Sequence, residues 1–138
     1  MVVALEPWLE QVVIIGGWAH QLYRRHPEAQ ELDYPPLITL DTDIAVPLKL
    51  PVKEPDIRVR LLAHGFTEEF LGDHRPPAMH YHLGDGASGF YVEFLAPLIG
   101  GEYDREGRRK ATAEIAGVAS QRLRHVDLLL HHPWSIDF

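Results

Sequence analysis

Cysteine is absent from the 138 residues, which removes both a disulfide framework and a thiolate metal site. Long apolar runs are missing too. The longest falls well short of the roughly 20 residues that a membrane-spanning helix needs, so no transmembrane segment is expected. The N-terminal stretch carries Glu6 and Glu10 and has no basic region ahead of its apolar residues, which does not read as a secretory signal. Cytoplasm is the default location. Positive charge is scarce: 13 Lys and Arg stand against 20 Asp and Glu, a formal charge of −7. That balance disfavours broad binding to nucleic acid, which depends on many cationic contacts to phosphates, but leaves room for a local basic groove. Internal repeats, low-complexity blocks and a clear linker are also lacking, and the length suits one domain spanning 1–138 with one core.

The informative stretch is 12–46, VVIIGGWAHQLYRRHPEAQELDYPPLITLDTDIAV. Val12 to Ile15 form a β-branched run too short for a helix core, and are read as a buried strand. Gly16 and Gly17 break it. Residues 18–26 then form a helix with Trp18 and Leu22 inward, ending before Pro27. Residues 28–36 are polar, close on a proline pair and read as a loop. A second strand covers 37–46, with Leu40, Thr42, Ile44 and Val46 on one face and Thr39, Asp41, Asp43 and Ala45 on the other.

Further along, a short helix is expected at 7–11 and another at 55–64, stopped by Gly65. Strands are expected at 66–71, 79–83 and 90–95, the last two as an antiparallel pair across LGDGASG. On the last of them Val92 and Phe94 point one way, and Tyr91, Glu93 and Leu95 the other. Residues 100–110 read as a charged loop, and 125–130, containing VDLLL, as a further strand.

Carboxylates two apart on a strand have Cα atoms about 6.5 to 7 Å apart and project from one face. Asp41 and Asp43 can therefore converge on one divalent ion or on two, the arrangement used for in-line attack on a phosphoryl group. The bland reading is a solvated strand face, yet two like charges there repel unless a cation neutralises them. Glu93, an acid within the apolar VEFLAP, is the candidate for a third metal-binding carboxylate; otherwise it is an edge-strand charge. Glycines after a buried strand allow close backbone approach to a ligand, and the helix that follows offers free amides to an anion. By itself a Gly-Gly pair specifies only a tight turn. His20 and Arg24, four apart on that helix, either face a phosphate or lie on an exposed face.

Other clusters carry less. His80 with His82, spaced i and i+2 on a strand, can share a zinc, as can His131 with His132, but no third ligand stands near them in sequence. Arg105, Arg108, Arg109 and Lys110 form the densest basic run, read as a solvated loop with acceptor binding as the alternative. Ser88 and Ser120 lack a Gly-x-Ser-x-Gly context, so hydrolase chemistry gets little support.

The order Gly-Gly at a helix start, Asp-x-Asp on a strand and an acid on a later strand resembles the DNA polymerase β nucleotidyltransferase superfamily. Within it, IGGWAHQLY, LDTDIAV, LLAHGF and YVEFLAP look most like bacterial stand-alone nucleotidyltransferase-fold proteins, including abortive-infection and toxin–antitoxin enzymes. The resemblance covers 12–97, with RLRHVDLLLHHP as a further family strand. It implies an α+β fold, a small mixed sheet flanked by helices. It implies a nucleoside triphosphate and Mg²⁺ or Mn²⁺, with transfer of a nucleotidyl group to a hydroxyl of an RNA, protein or small-molecule acceptor. Asp41, Asp43 and Glu93 would hold the metal as catalytic residues, and Glu93 would help deprotonate the acceptor. Gly16 and Gly17 would cradle phosphates, with Trp18, His20 and Arg24 completing the nucleotide-binding set. An antitoxin partner is implied by the toxin-type relatives.

The chain departs from that pattern in three places. Gly17 stands where the family often has serine, which leaves backbone amides for phosphate contact. Twenty-three residues separate Gly17 from Asp41, more than in compact members. Relatives commonly continue into a helical region, whereas this chain stops at Phe138, so the fold is either minimal or truncated. These departures motivate the alternative, a catalytically silent nucleotidyltransferase fold that binds a nucleotide or a partner.

Overall fold

A computed structural model describes residues 1–35, 39–84 and 89–136. The fold class is α+β. Among the described residues, seven strands form one mixed sheet: β1 (Val13–Ile15), β2 (Asp41–Ala45), β3 (Thr67–Leu71), β4 (Ala78–Leu83), β5 (Phe90–Pro97), β6 (Thr112–Ile115) and β7 (Val118–Leu123). The helices are α1 (Val2–Leu5), α2 (Gly16–Tyr23), α3 (Ile57–Ala63) and α4 (Val126–Leu129). A 3₁₀ turn over Glu6–Trp8 follows α1. Among the described residues no helix is long and apolar enough to cross a membrane.

β5 is the axis of the sheet. It pairs parallel with β2 on one edge, and β2 pairs antiparallel with β1. Its other edge is shared: the first half pairs antiparallel with β4, which carries β3, and the second half pairs parallel with β7, which carries β6. The sheet therefore forks beside β5.

Alternation along β2 and β5 decides which face is the core. Thr42, Ile44, Val46, Val92, Phe94 and Ala96 are fully buried, and Tyr81 on β4 joins them. α3 closes this side by burying Ile57 and Leu61, one turn apart. Its N-terminus is capped by Asp56, whose Oδ1 accepts from the Val59 amide at 2.8 Å. Gly65, at φ +84, supplies the left-handed residue after the helix. Arg60 ties α3 to α1 by donating to the carbonyls of Ala4 and Val3 at 2.7 and 2.9 Å. On the opposite face, Ala45, Leu95 and Val126 pack with Val13, Ile15 and Leu130. Past that patch, toward Asp43 and Glu93, the face turns polar.

Several expectations shift. The first helix lies at Val2–Leu5 rather than 7–11, since Pro7 is accommodated in the 3₁₀ turn. The helix after the glycines begins at Gly16 itself. Of the expected strand 37–46, Asp41–Ala45 is a strand and 36–38 lie outside the described residues, as do 85–88 of the LGDGASG turn. The expected strand at 125–130 is instead α4. Its run buries Val126 and leaves Leu128 and Leu129 exposed, a one-sided pattern that a short apolar stretch does not reveal.

The hairpin β6–β7 has no counterpart in the sequence reading. Its two-residue turn, Ala116-Gly117, has φ of 49° and 90°, as a type I′ connection requires. A side chain at Gly117 would collide with the Asp56 carboxylate that caps α3. Gly117→Ala should therefore cost about 1–3 kcal/mol, and Asp56→Ala about 1 kcal/mol for the lost cap, both read from urea unfolding. A Gly117→Ala protein as stable as wild type would contradict this packing.

Candidate active site

The parallel register between β2 and β5 sets Asp41 beside Tyr91 and Asp43 beside Glu93. Neighbouring strands lie about 4.8 Å apart, so Asp43 and Glu93 are side by side on the polar face, with Asp41 one pleat along. All three are half-buried. Glu93 is held from two strands: its Oε2 accepts from His80 Nε2 at 3.1 Å and from Gln121 Nε2 at 2.9 Å. Burial first, then the adjacent His82 ring, push His80 below its ordinary pKa. Both bonds land on Oε2.

Asp43 bears the consequence of the crowding. Burial, followed by the hydrogen bond and charge of Glu93 and the charge of Asp41, raises its pKa to about 7. Two carboxylates this close accommodate one negative charge more easily than two, unless a cation sits between them.

α2 starts directly against these acids. Gly16 has φ +68, and a Cβ there would strike the Asp43 carboxylate; a Cβ at Gly17 would strike Thr39, which leads into β2. Both glycines are needed to let the first turn of α2 abut the strand that bears Asp41 and Asp43. The other candidates sit further back. Trp18 packs edge-on against Phe90, with ring centroids 5.8 Å apart. His20 stacks on Tyr34 at 6.0 Å, and Arg24 donates to the Tyr34 carbonyl at 3.2 Å. His20 and Arg24 thus fasten the segment after α2.

The structure brings together Gly16, Asp41, Asp43 and Glu93, and adds His80 and Gln121, which sequence reasoning did not assign to this site. His80 was visible as half of an i, i+2 pair. Gln121 lies in the unrecognised hairpin, and only the β5–β7 register carries it to Glu93.

Three carboxylates on one face are the donor type that a hard divalent cation such as Mg²⁺ or Mn²⁺ takes, although among the described residues their oxygens do not all lie within 4.8 Å of one another. Beside Gln121, at the fork of the sheet, a cleft of about 480 Å³ is lined in part by His74, Arg109, Lys110, Arg122 and Arg124. Glu102 lines the same cleft and pairs with Arg124 at 3.3 Å.

Two parallel central strands thus set these acids on one face, against a helix that opens on two glycines. A family model described as nucleotidyltransferase matches residues 2–137, and the chain belongs to that family. No curated protein and no solved structure matches it.

Asp43 also sets a pH dependence. A carboxyl with its pKa raised on folding adds stability while protonated, and that contribution is lost as pH rises from 3.8 through about 7. In metal-free buffer, Asp43→Asn should melt above wild type at about pH 8.5, with the gap closing toward about pH 5. Parallel melting profiles across that range would contradict the crowding of Asp43.

Proposed function

We propose that the chain is a single-domain, divalent-metal-dependent nucleotidyltransferase that moves a nucleotidyl group from a nucleoside triphosphate to a hydroxyl. The observation that carries this reading is the side-by-side placement of Asp43 and Glu93, with Asp41 on the same face. Asp41, Asp43 and Glu93 would hold Mg²⁺ or Mn²⁺, which in such sites offsets charge on the transferring phosphoryl group.

The chain's own groups suggest how substrates divide. The first turn of α2, with Gly16 and Gly17, lies on the β1–β2 side of Glu93, where backbone amides suit the triphosphate. Trp18, His20 and Arg24 would act from behind that turn. The cationic cleft lies on the other side, past Gln121, and suits an anionic acceptor such as RNA. Glu93 stands between the two. It would take the proton of the attacking hydroxyl as the oxygen–phosphorus bond forms and pyrophosphate leaves, while His80 and Gln121 keep its carboxylate in place.

Labelled ATP, GTP, CTP and UTP offered with pooled RNA, proteins and small hydroxylated acceptors should give metal-dependent transfer. Asp41→Ala, Asp43→Ala and Glu93→Gln should each lower it by at least about a thousandfold. Gln121→Ala, which removes one positioning bond, should lower it about 10- to 100-fold. Transfer that survives both aspartate substitutions would overturn the assignment. Nucleotide binding by calorimetry without transfer to any acceptor would favour the silent, nucleotide-binding alternative. Growth arrest on bacterial expression, absent for Asp43→Asn and relieved by a co-expressed partner, is the result a toxin–antitoxin role requires.

A further inference from the structure

His80 and His82 lie on the polar face of β4, with Tyr81 between them buried in the core. Antiparallel pairing with β3 sets Glu69 directly opposite His80. This is the third ligand that the i, i+2 histidine pair lacks in sequence. One ligand atom from each of Glu69, His80 and His82 lies within 4.8 Å of the others. His82 Nε2 and Glu69 Oε2 are already 2.8 Å apart. His82 Nδ1 is buried without a partner among the described residues, so Nε2 is the nitrogen available to a ligand.

We propose that Glu69, His80 and His82 form a transition-metal site of the zinc class, separate from the three catalytic carboxylates. Two imidazoles and one carboxylate form a donor set that zinc uses where a coordination position stays open. Metal–ligand bonds of about 2.0–2.1 Å put tetrahedral ligand atoms about 3.4 Å apart, so closing the cluster takes roughly 1 Å of side-chain movement. Glu69 is more than half exposed and free to supply it. Imidazole nitrogens discriminate against Mg²⁺, which keeps the two sites chemically distinct. They are nonetheless joined: His80 Nε2 contacts Glu93 Oε2 at 3.1 Å, which leaves Nδ1 as the ligating nitrogen, and a carboxylate on the other ring nitrogen of a ligating histidine is a recurrent means of orienting it. Occupancy of the histidine site would thereby reach the carboxylate assigned to the acceptor proton. The site itself stands whether or not the chain transfers nucleotides.

The test is calorimetric titration of the metal-free 138-residue chain with Zn²⁺ and with Co²⁺, in a background of saturating Mg²⁺. The visible spectrum of the Co²⁺ form reports its coordination. One equivalent is expected to bind, with affinity lowered at least about tenfold in Glu69→Gln and in His82→Ala, and retained in Asp41→Asn. Circular dichroism checks that each variant is folded, and Glu69→Gln, at an exposed position, keeps the test decisive if His82→Ala does not fold. Absence of saturable binding would overturn the proposal. So would binding that persists in Glu69→Gln and is lost in Asp41→Asn, because the metal would then belong to the carboxylates.

Discussion

Two carboxylates forced into adjacent positions on parallel strands are the constraint around which the polar face is arranged. Asp43 and Glu93 are register partners, each on a strand whose other face is buried in the core. Neither can turn away without exposing Ile44 or Val92 and Phe94, because a strand's two faces are coupled by its pleat. The repulsion is instead accommodated by protonation of Asp43, by hydrogen bonds to Glu93 from His80 and Gln121, or by a cation. The fold thus stores an unfavourable contact at the place where positive charge is useful.

The rest of the architecture holds that contact in place. The core below β2 and β5 is continuous from Trp8 in the N-terminal 3₁₀ turn to Val118 in β7. Trp8 is anchored by its indole Nε1–H, which donates to the Pro51 carbonyl at 2.7 Å. On the polar face, Val126 of α4 packs on Ala45 and Leu95, while β1 runs up to the acids, with Ile15 paired to Asp43. The fork beyond β5 has a second effect. Because β4 and β7 share one edge of β5, residues from both hairpins reach Glu93, His80 from one and Gln121 from the other. The cationic cleft opens where those hairpins diverge.

The same face carries two different donor sets a strand apart. Hard oxygen donors gather around β2 and β5, and imidazoles with one carboxylate around β3 and β4. His80 touches both, stacking on Tyr91 at 4.6 Å and bonding to Glu93. Chemistry at one group therefore has a short route to the other, through a single imidazole ring.

Local pattern alone determined much of this protein: the glycine break after a β-branched strand, the alternation that puts Asp41 and Asp43 on one face, the alternation that isolates Glu93 from Val92 and Phe94, and the capped helix before Gly65. These depend on periodicity and on backbone preferences, which act over a few residues. Pattern failed where tertiary burial chose between equally plausible local forms. Residues 126–129 became a helix because only Val126 finds a buried site, and Thr112 to Leu123 became a hairpin through an Ala-Gly turn that resembles no common turn dipeptide. Only the tertiary structure decided which distant side chains meet. Glu69 opposite His80, and Gln121 on Glu93, are matters of strand register and order, set by how the whole core packs, and no spacing along the chain encodes them.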